Sequence, residues 1–352
     1  MINNEVFFLA TENGLICWNF KEHRQFILSR DYALRLINLA YDKTYIDSES
    51  RMDQELLASN LLTLKQENKT LWGWDPLSKI FHFGTRDIPL EEVPCNVEEW
   101  ARSYLQHCNE VLDNSFPIEN HAYYTNPGIK LPPAISQSGF EKLLSKRATV
   151  RSFLDKPVPL AIVSHLLQHT LGFMQQREKS HDSNLPENLR KRRCSPSGGG
   201  LNATEGYLYV NNVTDLRPGL YYYDPFHHEL HLHDDSCPSL GSLLCGQHFA
   251  NNLPVGLFLT SRLDKLWWKY AHSRAYRMAL VEIGHVAQTF QLEATDLGLG
   301  TWLTGALNET PIESILNLTN PAEQVLFFVG AGYTDGSDTP EALKELLNAR
   351  NV

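Results

Sequence analysis

The sequence predicts an α+β fold in two parts, a small first domain and a larger second one. Short strand-like runs at 6–9, 15–18 and 25–28 precede helical periodicity within residues 1–90. Beyond a proline-rich stretch, a hairpin signal and a long helical pattern at 273–297 indicate a second mixed domain. The length of 352 residues agrees with this division, because it suits about two domains.

The first domain, residues 1–90, is predicted to end in a hairpin. Apolar residues at helical spacing predict helices at 29–41 and 52–61. Strand-like runs at 70–74 and 79–83 flank an Asp-Pro turn signal. Strands, helices and a closing hairpin in this order are typical of winged-helix units, which bind DNA or peptides. Since the net charge is −10, we predict a winged-helix-like domain that recognises a peptide.

Residues 91–135 are predicted to form a helical and proline-rich connector. They contain a helical pattern at 97–112 and then four prolines. Residues 136–352 form the second domain. Its predicted elements are a helix at 160–174, a strand at 206–210, a hairpin that enters at 219–225 and returns at 229–233, and the long helix at 273–297.

Composition excludes several classes of protein. The acidic balance argues against nucleic acid as a partner, and no apolar run approaches the roughly 20 residues of a membrane span. The N-terminus lacks the basic start and apolar core of a signal peptide. Six scattered cysteines form no C-x-x-C pair. We therefore expect a cytoplasmic protein with reduced thiols.

A histidine-rich run at 227–233 invites a metal interpretation. His231 and His233 would share one face of a strand. No H-E-x-x-H motif and no companion cluster of Cys, His and Asp accompany them. We interpret the run as hairpin surface and predict no metal site.

A basic and hydroxyl cluster opens the second domain. Arg147, Thr149 and Arg151 alternate, so in an extended segment their side chains point to one side. Two guanidinium groups and a hydroxyl suit a phosphate and a polyol chain. Alternating charge is also typical of a solvated strand face, and these residues alone leave both interpretations open.

Two further segments can carry chemistry. Consecutive glycines at 198–200 let the backbone approach a flat or phosphorylated ligand, although a plain turn needs them equally. Neither a Rossmann fingerprint nor a P-loop lysine is present. Lys269 stands among Trp267, Trp268 and Tyr270, where it is a candidate general base or a lysine that extends from an aromatic patch.

Taken in order, these segments resemble the flavin-dependent nitroreductase superfamily, and specifically its SagB-type dehydrogenases. Those enzymes oxidise thiazolines and oxazolines in ribosomal peptides to thiazoles and oxazoles. The matching segments are 147–153, 195–199, the P-G-L-Y-x-Y-D-P hairpin at 218–225, the K-Y…R-x-Y-R…E-x-G-H run at 269–285, and 298–306. The resemblance implies a nitroreductase-like fold: a central, mostly antiparallel sheet flanked by helices, in a homodimer.

The resemblance also implies an FMN site. Arg147, Thr149 and Arg151 would hold the phosphate and ribityl chain. The other implied cofactor-binding residues are Pro196, Ser197, Gly198 and Gly199 in a loop that reaches the flavin, Gly305 and Ala306 beside flavin N5, and Gly332 near the C-terminal end. The sequence departs from the family pattern in three places. Thr149 replaces the usual serine and keeps the hydroxyl, Tyr333 and Thr334 replace a basic phosphate contact, and Leu307 stands where an aromatic residue is common beside the flavin.

The function that this resemblance implies is azoline dehydrogenation. A hydride would pass from the ring to flavin N5, and Lys269 or Tyr270 would take the proton from Cα. The implied partners are a peptide substrate, a leader peptide that contacts the first domain, and a cyclodehydratase. Two alternatives remain: an NAD(P)H-dependent nitro- or ene-reductase, and a non-catalytic peptide-binding scaffold.

Overall fold

The structure is a computed structural model that describes residues 1–41, 45–64, 71–90, 92–113, 128–132, 138–177, 187–236, 238–318 and 320–350. It divides into two compact units. The first comprises Met1–Glu91 with Trp267–Tyr276, and the second comprises Glu92–Leu266 with Arg277–Val352. None of the helices in these ranges is both long and apolar enough to span a membrane.

The first unit begins with an antiparallel sheet followed by helices. Its elements are β1 (Val6–Thr11), β2 (Gly14–Asn19), β3 (Arg24–Leu28), α1 (Arg30–Tyr41), α2 (Arg51–Ala58) and α3 (Pro76–Gly84). Cys17 from the sheet packs with Leu36 and Leu56 from the first two helices. The Ser50 side chain accepts a hydrogen bond from the Asp53 N–H and caps α2. The predicted strands and the first two predicted helices are confirmed.

The closing hairpin predicted for the first unit is wrong. Residues 76–84 form α3 instead, and residues 65–70 lie outside the described ranges. Asp75 caps this helix by accepting from the Leu77 N–H at 3.0 Å, and Pro76 occupies the first turn, where its missing N–H costs nothing. The Asp-Pro pair is therefore a helix start and not a turn between strands. The winged-helix interpretation loses the hairpin on which it depended, whereas a small α+β domain is confirmed.

The second unit holds the remaining helices and strands, except that Trp267–Tyr276, at the end of α9 and the start of α10, groups with the first unit. In chain order they are α4 (Val97–Asp113), α5 (Gly139–Lys146), β4 (Val158–Pro159), α6 (Leu160–Thr170), α7 (Glu187–Arg190), β5 (Thr204–Val210), β6 (Val213–Thr214), β7 (Gly219–Asp224), β8 (Glu229–Asp234), α8 (Leu240–Leu243), β9 (Val255–Arg262), α9 (Leu263–Lys269), α10 (Arg274–Asp296), β10 (Gly300–Thr304), α11 (Glu309–Ile315), β11 (Glu323–Gly332) and α12 (Glu341–Arg350).

A six-stranded sheet forms the centre of the second unit. Its strand order is β10-β11-β9-β5-β7-β8, and every neighbouring pair is antiparallel. Side chains alternate between two cores, with Leu208 and Val210 on one face of β5 and Tyr207 and Tyr209 on the other. Helices cover both faces, so the predicted central antiparallel sheet flanked by helices is confirmed.

Two helices prepare the candidate site. The long helix α10 buries Ile283, Ala287 and Phe290 against the sheet, as its apolar stripe predicts. Helix α4, from the predicted connector, packs on the second unit, where the Trp100 and Phe249 ring centres lie 4.8 Å apart. Residues 91, 114–127 and 133–135 of that connector lie outside the described residues.

Candidate functional site

The segment that follows α5 runs beside the first residues of β10. The Val150 N–H donates to the Thr301 carbonyl at 2.9 Å, and the Val150 side chain is buried in the core. The alternation predicts that the side chains on either side of Val150 point away from this core. Arg147 Nη1 donates to Thr149 Oγ1 at 3.5 Å, so the structure brings these two predicted ligands together.

Arg151 joins the same segment to the C-terminal part of the chain. Its Nη1 donates to the Asp338 carbonyl at 3.1 Å, and its backbone N–H donates to the Ser337 carbonyl at 3.0 Å. Among the described residues, no carboxylate forms an ion pair with Arg147 or Arg151. Two half-buried guanidinium groups without a described acidic partner fit a phosphate, which would supply the missing charge.

The glycine loop is held by one buried carboxylate on α10. Glu282 is only 3% exposed. Its Oε2 accepts from the Ser197 hydroxyl at 2.7 Å and from the Gly198 N–H at 3.3 Å. Its Oε1 accepts from the Thr204 N–H at 3.0 Å. Glu282 therefore connects both ends of the loop to the central helix.

These contacts separate the predicted loop residues into two groups. The hydroxyl of Ser197 and the N–H of Gly198 are turned inward to Glu282, whereas Pro196 and Gly199 are exposed. Gly199 has φ 63°, a left-handed conformation that favours glycine. The exposed backbone around Gly199 is the part of the loop that a ligand can reach.

Glu282 is the site residue that the sequence analysis left without a role. It lies within the run that matches the family pattern, but its partners are far away along the chain. A carboxylate beside the buried stripe of a helix is costly unless it is hydrogen bonded. The sequence places Glu282 next to the apolar Ile283, and this position could have indicated a buried, hydrogen-bonded carboxylate.

The loop after β10 contains two more predicted ligands. Gly305 and Ala306 are both exposed, and the Ala306 N–H donates to Thr304 Oγ1 at 3.0 Å. Leu307 turns back into the core and is 5% exposed, so it contributes to packing. Gly332 is also buried, paired with Gly300 at the end of β11. Of these residues, Gly305 and Ala306 offer accessible backbone.

Lys269 and Tyr270 lie in the stretch that groups with the first unit. Lys269 is exposed, and its Nζ is 5.8 Å from the centre of the Tyr270 ring. The Tyr270 carbonyl accepts a hydrogen bond from Trp74 Nε1 at 2.7 Å. The first unit therefore fixes the backbone that carries both predicted catalytic residues.

An aromatic cluster surrounds this hydrogen bond. The Trp267 ring centre lies 5.9 Å from that of Trp72 and 5.7 Å from that of Trp74. A Cβ at position 73 would overlap the Trp267 ring, so only glycine permits this approach. One turn into α10, the Tyr276 hydroxyl and His82 Nδ1 are hydrogen bonded at 2.8 Å. We call Trp72, Trp74, His82, Trp267 and Tyr276 the aromatic clamp.

A second buried polar group adjoins the glycine loop. Lys265 Nζ donates to Glu205 Oε1 at 2.6 Å and to the Asn202 carbonyl at 3.3 Å. Nearby, Glu323 Oε1 accepts from the Thr260 hydroxyl at 2.6 Å. Burial raises the pKa of Glu323, and the charge of Glu205 raises it further. Lys265 therefore connects the chain at the end of the glycine loop to Glu205.

A family model settles the class of protein to which these residues belong. The model described as Nitroreductase family matches residues 144–333, more than half of the chain. The chain belongs to the nitroreductase family. The nitroreductase match includes every predicted cofactor-binding residue as well as Lys269 and Tyr270.

Three curated relatives are similar to this nitroreductase-family chain. MJ1384 of Methanocaldococcus jannaschii, which carries the name nitroreductase, is 29% identical over 188 residues. These residues make up 53% of this chain and 88% of the length of MJ1384. Trifolitoxin-processing protein TfxB of Rhizobium leguminosarum bv. trifolii is 30% identical over 218 residues, or 58% of this chain and 57% of its own. Trifolitoxin operon protein TfxC of the same organism is 23% identical over 289 residues, or 79% of this chain and 78% of its own.

Replacing Glu282 by glutamine should loosen the glycine loop. Glutamine keeps the size of the side chain. Its NH2 group would face one of the N–H groups that now donate a hydrogen bond to Glu282, and two donors cannot bond to each other. We expect Glu282→Gln to lower the free energy of unfolding by about 1–3 kcal/mol, measured by urea denaturation. Glu345→Gln, at an exposed acid, is the matched control. A midpoint unchanged from the wild type would contradict the role of Glu282.

Proposed function

We propose that the chain is an FMN-dependent dehydrogenase that oxidises azoline rings in a peptide to azoles. The observation that carries the cofactor assignment is the pair of guanidinium groups, Arg147 and Arg151, which have no described acidic partner. Similarity to TfxB, named for the processing of trifolitoxin, supports a role in maturing a natural product. The Lys269-Tyr270 pair supports dehydrogenation, because aromatising an azoline requires a group that takes a proton.

The residues present fit FMN in three places. Arg147 and Arg151 would neutralise the phosphate, and the Thr149 hydroxyl, now bonded to Arg147, would contact the ribityl chain. The exposed backbone at Gly199 and at Gly305–Ala306 would lie against the flat ring system. When bound, FMN supplies the hydride acceptor, and the protein supplies orientation and proton transfer.

Lys269 or Tyr270 would act as the general base. Conversion of an azoline to an azole removes a hydride from the ring CH2 and a proton from the adjacent Cα. Lys269 is exposed and can meet an incoming peptide, while Trp74 holds the Tyr270 carbonyl at 2.7 Å. The aromatic clamp thus keeps the base on a fixed backbone, which catalysis requires.

The remaining elements of the proposal concern partners. We propose a peptide substrate whose leader segment contacts the first unit, a cyclodehydratase that supplies the azoline, and a homodimer. The similarity to TfxC extends over 79% of the chain, so it includes residues of both units. This extent supports a function in which both units take part.

A second candidate is a nitro- or ene-reductase that takes electrons from NAD(P)H. The relative MJ1384, named for the nitroreductases and matched over 88% of its length, favours this alternative. Anaerobic mixing separates the two functions. Rapid bleaching of the flavin by NAD(P)H supports the reductase, whereas bleaching only by an azoline peptide supports the dehydrogenase.

Binding of FMN tests the cofactor assignment. The purified full chain should bind FMN, and Arg147→Met should weaken binding about ten- to a hundredfold because a charged donor to phosphate is lost. Fluorescence titration measures both affinities. Arg217→Met, at an exposed arginine of the same unit, should bind like the wild type. If the wild-type chain binds no FMN, the proposal is wrong. The remaining alternative is then a non-catalytic peptide-binding scaffold.

Lys269→Met tests the general base. We expect turnover of a thiazoline-containing peptide to fall about 10²- to 10⁴-fold, since general-base catalysis contributes about that much. FMN affinity should stay unchanged. Lys21→Met, at an exposed lysine of the first unit, controls for the loss of a surface charge. Undiminished turnover in Lys269→Met would remove this residue from the mechanism.

Trp74→Phe tests whether the aromatic clamp positions the base. Phenylalanine keeps an aromatic ring but loses the N–H that holds the Tyr270 carbonyl. We expect kcat to fall on the order of tenfold through misplacement of the base, with FMN affinity unchanged. Trp268→Phe is the matched control, because Trp268 is 70% exposed. Equal kcat values in the two variants would refute a positioning role.

A further inference from the structure

Two histidines and a glutamate converge on the surface of the second unit. His165 and His169 are four residues apart on α6, a spacing that puts both rings on one helix face. Their ring centres lie 4.3 Å apart. From α10, Glu293 Oε1 approaches His165 Nε2 at 2.9 Å and His169 Nδ1 at 3.3 Å.

We propose that His165, His169 and Glu293 bind a divalent transition-metal ion of the zinc type. Two imidazoles and a carboxylate are preferred ligands of Zn²⁺, with bonds of about 2.0–2.2 Å. Tetrahedral bonds of that length place neighbouring ligand atoms about 3.4 Å apart. The observed separations of 2.9 and 3.3 Å are close to this value, and all three ligand atoms lie within 4.8 Å of one another.

Hydrogen bonding around His169 is compatible with metal binding. His169 Nδ1 also lies 3.1 Å from the His165 carbonyl. A metal ion bound to Nδ1 would replace the contact with the carbonyl, and Nε2 would then carry the ring hydrogen.

The surroundings favour an ion that enters from solvent. His165 is 51% exposed at its side chain, His169 31% and Glu293 21%, so an ion can enter and a water can complete its coordination. The ligand set is the two imidazoles and the carboxylate, because these are the groups whose ligand atoms converge.

The site adjoins the point where the glycine loop meets α10. Ser195 Oγ and Thr289 Oγ1 are hydrogen bonded at 2.7 Å, and Glu293 lies one helical turn beyond Thr289. A metal bound here would join α6 to α10 beside this attachment. We therefore assign the ion a structural role, separate from the proposed chemistry at Lys269.

Metal binding by the full chain tests this site. Chelator-treated protein is titrated with Zn²⁺ against a coloured indicator, and Co²⁺ serves as a spectroscopic probe of coordination. We expect one ion per chain and a weakening of at least about tenfold in His169→Ala and in Glu293→Gln. Cys194→Ser should keep the wild-type affinity, because the thiol is not a ligand.

A surface control and a second readout keep the result decisive. His227→Ala removes an exposed histidine whose partner is Asp224, and it should bind zinc like the wild type. Zinc affinity should fall as the pH is lowered, because protons compete with the metal ion for the same ligand atoms. Absence of zinc binding, or equal affinity in wild type and His169→Ala, would reduce the cluster to a hydrogen-bonded triad. Either result is independent of whether FMN binds.

Discussion

The buried carboxylate of Glu282 is the interaction on which the candidate site depends. An isolated charge in such a position would be strongly unfavourable, but here both oxygens accept hydrogen bonds. The donors come from either side of the glycine loop. If the loop moved away from the central helix, the buried carboxylate would lose these hydrogen bonds and have no others to replace them. The Gly199 conformation is therefore preset before any ligand arrives.

The same principle explains why the predicted ligands differ in what they can do. Ser197 and Gly332 serve the architecture, one through its bond to Glu282 and the other through its burial beside Gly300. Arg147 and Arg151 retain charge that the described residues do not neutralise. The groups suited to binding are therefore the few whose charge is not neutralised within the protein. The other groups use their hydrogen bonds to hold the framework together.

Local patterns in the sequence predicted three strands of the central sheet, β5, β7 and β8, and the long helix, whereas the sheet as a whole was predicted from the family resemblance. Alternation in β5 and the apolar stripe of α10 are periodicities that neighbouring residues express by themselves. The helix α3 was missed because the aromatic run at 79–83 has strand-like composition, whereas its burial follows from contacts with Tyr276. The His165–His169 spacing was visible, but Glu293 comes from a distant helix, and no local pattern connects them.

The composition of the first unit has a consequence for the order in which the chain can fold. Trp267–Tyr276 belongs to that unit and supplies hydrogen-bond partners for Trp74 and His82. During synthesis the N-terminal residues must therefore wait for the whole intervening sequence, roughly ten to forty seconds at ribosomal speed. For that interval the indole rings of Trp72 and Trp74 lack the packing that Trp267 provides in the folded protein.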